Sequence, residues 1–437
     1  MAQWRNWAGD QRCSPTTIEA PASREQLAEA VRRAADRDLV VKACGSGHSF
    51  TEIALTDGVM VRLDRLDRIL ELDTDAGLVK VEAGIVLAEL NRRLDALGLA
   101  FENLGDIDHQ TLGGAIATGT HGTGTRYPSI SAQVEAIELV LADGSFVEFS
   151  ATDDPQALAC ARIGLGALGV VYAVTIRTVP AFTLDRRDRP RSLEETLARL
   201  DELNDANDHF EFYVFPHTEL ALCRETHRTT DPPRPDSPLT TFAREVVLEN
   251  WVGGMFARAA RQLPSRAAPL ARLASRGVGR SRKVDRSFRV FASDRRIRFT
   301  EMEYAIPRER AAEAVRRVLA IAARPEQGVV FPIEARFVSA DDLALSTSHG
   351  RDTAYVAVHQ DPGLDWRSYF RQVEQVMDSL EGRPHWGKRH FQTAETLAGR
   401  YPRWAEFQRL RARLDPAGRF ANQYTDRVLG AVNQRNV

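Results

Sequence analysis

Gly113-Gly114-Ala115-Ile116-Ala117-Thr118-Gly119-Thr120-His121-Gly122-Thr123-Gly124 is the stretch that decides the fold, read together with Gly45-Ser46-Gly47-His48-Ser49 upstream. Both segments present backbone N–H groups without large side chains in the way, and small hydroxyls beside them. Amides arranged in this manner bind anions, so a diphosphate can be held between two such loops without a lysine. Either loop alone reads equally well as a tight turn. The pair, one of them carrying His48, points to a ligand.

The elements around these loops mix helix and strand. Ser23-Arg24-Glu25-Gln26 is a capping box, in which Ser23 and Gln26 each satisfy a backbone donor at the start of a helix running to about Asp36. Leu39 to Val41 is a short apolar strand that runs into the first glycine loop. Val59 to Leu63 and Leu78 to Val81 alternate as strands. Leu87, Leu90, Leu94 and Leu97 recur at helical spacing and stop at Gly98. Val134 to Phe149 contains Ala142-Asp143-Gly144-Ser145, a hairpin signal, and Val170 to Val179 is a strand ended by Pro180. Gly164-Leu165-Gly166-Ala167-Leu168-Gly169 matches the dinucleotide fingerprint in letters only. A helix (Pro155 to Arg162) precedes it and a strand follows, the reverse of a βαβ site, so packing or close backbone approach is the better reading.

Beyond Pro180 the texture changes. Phe210 to Phe215 is strand-like, Asp231 to Pro238 is a Pro- and Asp-rich loop, and Arg258 to Arg298 is studded with arginine, which reads as a solvated helical face. Strands are expected over Arg295 to Ile306, Gly328 to Phe337 and Thr353 to His359, a helix over Arg308 to Ala323, and a final helix over Trp404 to Leu414 before Asp415-Pro416. The expected organisation is a domain over 1–182, a second over 183–384, and a C-terminal segment over 385–437 that returns to the first.

With 437 residues the chain exceeds what one core supports, since single cores stop growing at about 250–300 residues. Hydrophobic residues at 43% and charged residues at 27% argue against disordered and fibrous classes. The formal net charge of −2 supplies no field for nucleic acid or an anionic membrane. Cys13, Cys44, Cys160 and Cys223 lie far apart, which removes zinc-ribbon and disulfide-scaffold readings, leaves no metal site expected, and suits the cytoplasm. No Sec-type leader and no membrane span are expected.

Two further motifs lie in the second half. Glu334-Ala335-Arg336 places Glu334 and Arg336 one residue apart on a strand, so both side chains project to one face, as polar substrate recognition needs. By itself the pair is also readable as an exposed ion pair on a sheet. The other motif is Arg383-Pro384-His385-Trp386-Gly387-Lys388.

Taken with the glycine loops, Trp4-Arg5-Asn6-Trp7-Ala8-Gly9 and Asp415-Pro416-Ala417-Gly418-Arg419-Phe420, these motifs resemble the vanillyl-alcohol oxidase family of PCMH-type flavoproteins. The resemblance is nearest to its aldonolactone oxidoreductase and alditol oxidase branch, among actinobacterial-type gulonolactone and arabinonolactone enzymes. It implies an α+β, two-domain protein: an FAD-binding domain drawn from both chain ends, and a cap with an antiparallel sheet over the isoalloxazine. His48 matches the histidine bonded to the flavin 8α-methyl, and no cysteine stands where bicovalent relatives place a second link. The implied cofactor contacts are Ala43, Cys44, Gly45, Ser46, Gly47, His48, Ser49, Gly105, Thr111, Gly114, Thr118, Gly119, Thr120, His121, Gly124, Val171 and His385.

Glu334, Arg336 and Lys388 match the residues that act on the substrate, with Glu334 expected to bind the hydroxyl and accept its proton. His359 matches a polar cap residue. Asp106 departs from the alditol branch, which carries serine there; a carboxylate accepts hydrogen bonds from several hydroxyls but repels aldonate anions. The resemblance implies oxidation of a sugar-1,4-lactone of the L-gulono or D-arabinono type to an ascorbate-like product, with oxygen or another acceptor reoxidising the flavin; the alternative is an alditol oxidase. A non-catalytic flavin- or sugar-binding protein would have no need of that cluster. Gly105 falls where the family places a residue beside flavin C4a, and its lack of Cβ would leave oxygen a path.

Overall fold

The computed structural model describes residues 3–235, 267–275, 277, 279–293 and 297–432. A small parallel sheet comes first. Strand β1 (Thr17–Glu19), helix α1 (Arg24–Asp36), β2 (Val41–Cys44) and β3 (Val59–Arg62) place β3 between β1 and β2. Helix α1 starts as the sequence predicts, with Ser23 Oγ accepting from Gln26 N–H, but the Gln26 side chain takes the N–H of Ala22, one residue earlier than a strict box. Asp38, at φ 58°, turns the chain out of the helix, so the strand begins at Val41 rather than Leu39.

An antiparallel sheet follows: β4 (Ile69–Asp73), β5 (Leu78–Glu82), helices α2 (Leu87–Ala96) and α3 (Leu112–Ala117), then β6 (Val134–Val140), β7 (Phe146–Ser150), α4 (Pro155–Ala161) and β8 (Val170–Arg177). Its order is β7-β6-β8-β5-β4. The apolar residues of both sheets share one core with chain from the far end: Trp386, Tyr401, Phe407, Phe420 and Tyr424 all belong to it.

The second sheet system is larger. Its strands are β9 (Thr183–Ser192), β10 (His209–Val214), β11 (Leu220–Thr229), β12 (Ser281–Arg286), β13 (Thr300–Pro307), β14 (Ile333–Val338), β15 (Thr353–Gln360) and β16 (Arg383–Pro384), with α5 (Ala311–Ala322) after β13 and α6 (Trp366–Asp378) after β15. They form one antiparallel sheet in the order β12-β9-β11-β10-β14-β15-β13-β16. Side chains alternate across a strand, and here the alternation sorts chemistry. Phe210, Phe212, Met302, Tyr304, Ala335, Phe337, Val356 and Val358 face α5 and α6 and form the second core. Glu211, Tyr213, Glu301, Glu303, Glu334, Arg336, Tyr355 and His359 fall on the other face, because directly paired residues share a side of the sheet: Glu301 opposes His359, Glu211 opposes Arg336, and Tyr213 opposes Glu334.

Several expected boundaries shift. The strand read from Gly328 starts at Ile333, because Gly328 (φ 59°) closes a one-turn helix, Pro325–Gln327, and Pro332 has no N–H for a ladder. The strand read from Arg295 is observed from Thr300. Trp404–Leu414 forms as helix α7 but is not the last: α8 (Gln423–Leu429) follows, capped by Asn422 and Thr425. The Pro- and Asp-rich loop and the Arg-studded stretch lie partly outside the described residues. Where that stretch is described, Arg282 and Arg286 pair with Asp185 and Asp95. Among the described residues no helix is long and apolar enough to cross a membrane.

The glycine-rich stretch after α3 ties the two sheet systems together. Gly124 N–H donates to the Phe337 carbonyl (2.6 Å), and Thr123 Oγ1 accepts from Phe337 N–H (3.1 Å) while donating to the Phe210 carbonyl. Gly124 has φ 124°, and a Cβ there would meet the Asp208 carbonyl at 2.5 Å. His209 Nδ1 completes the junction through the Thr123 carbonyl (2.8 Å). Burial pushes His209 down to about 4 and His390 well below its ordinary value, so both are neutral in the fold. Unfolding lets them take up protons below their unfolded value of about 6.5. Stability should therefore fall as pH drops from about 6.5 toward 4, by up to about 1.4 kcal/mol per pH unit for each ring. Melting temperatures measured from pH 7 to 4.5 should decline, and less steeply in His209→Gln; identical slopes would remove His209 from the account.

Candidate active site

Strand β2 delivers Cys44 into the first glycine loop, and Thr111 caps the short helix α3 with its Oγ1 facing Gly114 N–H (3.4 Å). The loops meet at Gly45, where a Cβ would lie 2.1 Å from Thr111 Oγ1. Between them runs a groove enclosing about 890 Å³. Its walls include Ala43, Cys44, Gly45 to Ser49, Thr111, Gly114, Thr118 and Val171, with Gly113 and Ala117 of α3. The backbone N–H groups of Ser46, Gly47, His48 and Ser49 donate to no protein acceptor among the described residues. Buried Gln110 Oε1 is likewise without a partner and borders both this groove and a neighbouring cavity. Free amides, small hydroxyls and absent side chains fit the diphosphate of a dinucleotide such as FAD.

The groove's far wall comes from Leu165, Gly166 and Gly169. This is the segment that mimics a dinucleotide fingerprint, and it works here as a loop with Leu165 at φ 53° and Gly166 at φ 60°, not as a helix start. Lys42 holds it in place. Its buried ammonium donates to the carbonyls of Gly166 (3.1 Å) and Phe420 (3.0 Å), and burial, aided by Arg411, lowers it to about 7.

The groove opens into a second cavity of about 610 Å³ whose walls include His48, Ser49, Asp106, Gln110, Glu301, His385 and Lys388. His48 borders both. Its ring is stacked between Trp7 (centroids 5.5 Å) and His109 (6.4 Å), and Trp7 N–H donates to the Gly47 carbonyl (2.8 Å). Burial, with help from His109 and Lys388, lowers His48 to about 4, so the ring is neutral and keeps a nucleophilic nitrogen. Cys44, by contrast, is pushed up to about 12 by burial and is inert as a thiolate.

The polar face of the cap sheet supplies the remaining wall. Lys388 Nζ donates to Glu301 (2.5 Å), and His359 Nε2 lies 3.7 Å from the same carboxylate while its Nδ1–H donates to the Pro332 carbonyl. Burial opposes the charge of Lys388, but Glu301 and Glu303 outweigh it and hold the ammonium above its ordinary value. Gly387 N–H donates to His385 Nδ1 (3.0 Å), which leaves the ring proton on Nε2. Burial lowers His385 to about 3. His121 and His385 converge on Glu303; burial opposes its charge, but His121, which hydrogen-bonds it, and Lys388 hold the carboxyl below its ordinary value.

Arg336 is buried and shared by three carboxylates. It pairs with Glu334, with Asp106 (2.9 Å) and with Glu211 (3.2 Å). Burial opposes its charge; Asp106, Glu334 and Glu211 hold it well above its ordinary value. Asp106 separates the flavin-side cavity from a smaller compartment of about 380 Å³, also bordered by Arg186, His209, Glu211, Arg224 and Arg336.

The structure thus brings Asp106, His385 and Lys388 to one wall, with Arg336 just behind Asp106. Glu334 and His359 border neither cavity. Gly105, beside Asp106, packs against Thr120 and His121. Gly119, Thr120, His121 and Gly124 do not border the groove: His121 stacks on Tyr355 (3.5 Å), and Gly124 is the junction glycine. Glu301, Glu303, Lys42, His109 and Gln110 are not singled out as site residues in the sequence, and Trp7 enters only as part of the N-terminal motif. Glu301 and Glu303 left a trace there, as alternate positions on one expected strand.

The chain matches the family model for D-arabinono-1,4-lactone oxidase over residues 174–428, and the model for an FAD binding domain over residues 15–150. It is 49% identical over 430 residues to L-gulono-1,4-lactone dehydrogenase of Mycobacterium tuberculosis, covering 98% of this chain and 99% of that protein. It is 33% identical to L-gulonolactone oxidase of Bos taurus (98% of each) and 34% identical to an alditol oxidase of a Streptomyces species (96% and 97%). In three dimensions it resembles a solvent-stable cholesterol oxidase, with a TM-score of 0.82 at 19% identity over 98% and 97% of the two chains, a likeness of fold alone. The family match over more than half its length and these near full-length relatives show that the chain belongs to the D-arabinono-1,4-lactone oxidase family, with an FAD-binding domain toward its N-terminal end.

Proposed function

We propose that this protein is an FAD-dependent oxidoreductase acting on a sugar-1,4-lactone of the L-gulono or D-arabinono type, converting a ring hydroxyl to a ketone that enolises to an ascorbate-like product. The observation that carries this reading is a polar wall drawn from three places: Glu301 of the cap sheet, Lys388 of the returning C-terminal chain and Asp106 of a loop line one cavity with His48, which also borders the dinucleotide groove. A relative 49% identical and named L-gulono-1,4-lactone dehydrogenase supports the substrate class. When bound, the flavin supplies the acceptor for the hydrogen and electron pair leaving the substrate carbon. The four unpaired cysteines, three of them buried, suit a cytoplasmic setting.

The chain's own groups do the rest. A group that takes the hydroxyl proton must reach the cavity, and Glu301 does; we assign it that role, with Lys388 stabilising negative charge as it develops. Arg336 orients substrate oxygens from beside Asp106. Glu334, bonded to Arg336 and set back from the wall, holds the guanidinium in place. His48, neutral and stacked on Trp7 and His109, would hold the flavin through its ring nitrogen, and the missing Cβ at Gly105 would leave oxygen a path to it.

Mixed anaerobically with a panel of aldono-1,4-lactones and alditols, the oxidised protein should bleach with an L-gulono- or D-arabinono-1,4-lactone; bleaching by alditols alone would transfer the assignment to an alditol oxidase. Removing one partner of a buried charged pair costs on the order of 2–4 kcal/mol. Glu334→Gln and Arg336→Ala should accordingly lower kcat/KM more than tenfold with an unchanged flavin spectrum, and near-parental kinetics in both would assign the pair to structure only.

His48→Ala should retain its fold yet lose the fluorescent band that the parent shows on a denaturing gel. Flavin released to the same extent from both by acid precipitation would defeat the covalent assignment.

A Cβ at Gly105 would meet Thr120 Cγ2 at 3.2 Å and the His121 carbonyl at 3.3 Å, close but within reach of small adjustments. In stopped flow, the reduced parent should reoxidise quickly in air-saturated buffer, and Gly105→Ala should slow it sharply. Slow reoxidation of the parent, with fast turnover on an artificial dye, would make the protein a dehydrogenase.

A further inference from the structure

Two buried acids act on the Lys388 ammonium, and they are placed differently. Glu301 borders the flavin-side cavity and accepts from Lys388 Nζ (2.5 Å), with His359 facing it from β15 at 3.7 Å. Glu303, two residues further along β13, does not border that cavity and is set back behind His385. The turn that carries Lys388 is tied to both: the Glu303 carbonyl accepts from His385 N–H (3.0 Å) and the Glu301 carbonyl from Arg389 N–H (2.8 Å). Asp106 acts on Lys388 less than either acid and is bonded to Arg336 (2.9 Å). The side chain of Glu303 has His121 as its partner. His121 Nδ1–H donates to the Gly122 carbonyl (2.9 Å) and the ring is stacked on Tyr355 (3.5 Å), so Nε2 is held toward Glu303 Oε1 at 3.4 Å. A ring bare at Nε2 would turn a lone pair on the carboxylate, so the pair keeps one proton between its members. Burial opposes the charge of Glu303, but His121 above all holds the carboxyl below its ordinary value.

Resting on the reading above, in which Glu301 accepts the substrate proton, we propose that Glu303, clamped by His121, is a positioning residue for the reaction: it is the fixed counter-ion of Lys388, which leaves Glu301 free to carry the proton. When Glu301 takes that proton, the substrate O–H bond breaks, an O–H bond forms on Glu301, and the hydrogen on carbon leaves with its electron pair to the flavin. Glu301 is then neutral just when Lys388 has most negative charge to stabilise. With Glu301 as its sole counter-ion, buried Lys388 would oppose that protonation, because a buried charge stripped of its partner is costly. A second acid whose charge does not change during turnover removes the conflict. The proton passes from Glu301 to water as the product leaves.

The test is the pH dependence of L-gulono-1,4-lactone oxidation by the flavin-loaded parent, Glu303→Gln, His121→Gln and the double variant, with Glu301→Gln as control. Glu303→Gln should lower kcat about tenfold or more while KM moves less than about threefold, the pattern of an interaction lost in the transition state. The acid limb of its kcat/KM profile should move to lower pH by about half a unit or more, because Glu301 loses a negative neighbour and its ionised form is favoured. His121→Gln should move both in the same direction by less, and the double variant should be no slower than Glu303→Gln, since His121 acts through Glu303. A pair with a structural role only would leave the limb in place. An unmoved limb in Glu303→Gln, or losses that multiply in the double variant, would overturn the proposal; if Glu303→Gln does not fold, an unmoved limb in His121→Gln overturns it. A limb that survives in Glu301→Gln would withdraw the base assigned above and this proposal with it. A parent inactive on every lactone would count against the substrate reading instead, and the same profiles are then taken with an alditol.

Discussion

Burying the Arg336 guanidinium is the constraint from which the arrangement of the two halves follows. A charge taken out of water must find partners, and breaking such a pair costs about 3–5 kcal/mol. Two of the partners, Glu211 and Glu334, stand on neighbouring strands of the cap; the third, Asp106, stands on a loop of the FAD-binding domain. Satisfying one side chain therefore requires both domains at once. The backbone bonds from Thr123 and Gly124 to Phe210 and Phe337 act in the same direction, and they anchor the loop within the same junction.

The period of two along the cap strands gives this junction its chemistry. One face is apolar and is covered by α5 and α6; the other carries four buried acids within four adjacent strands, β10, β14, β15 and β13. Such a face would be unstable facing an apolar layer, since buried polar groups require partners. It finds them across the domain boundary and within the returning C-terminal chain, in His121, His385 and Lys388. The same pairing sets charge states: burial keeps His48 and His385 neutral, whereas Glu301 and Glu303 keep Lys388 charged. A neutral imidazole and a committed cation in one cavity are consequences of packing.

The amino-acid sequence by itself determined the elements whose information is local. Glycine loops, the alternation of Glu334 and Arg336, the capped start of α1 and the bounds of α7 depend on neighbours a few residues away, and so does the set of motifs that carries the family resemblance. What only the tertiary structure decided concerns residues far apart in the chain. The stretch from Gly113 to Gly124 reads as one phosphate loop, yet its first half borders the groove and its second half fastens the cap, because Gly124 meets Asp208 and Phe337. Glu301 and Glu303 are ordinary acids on a strand until the register sets Glu301 against His359 and the chain near Lys388 folds back beside them. Helix α8 hides behind Pro416 and Gly418, which read as a stop, though its Asn422 and Thr425 cap is present in the letters. Strand register and domain docking are set by burial summed over the whole molecule, and no window of sequence contains that sum.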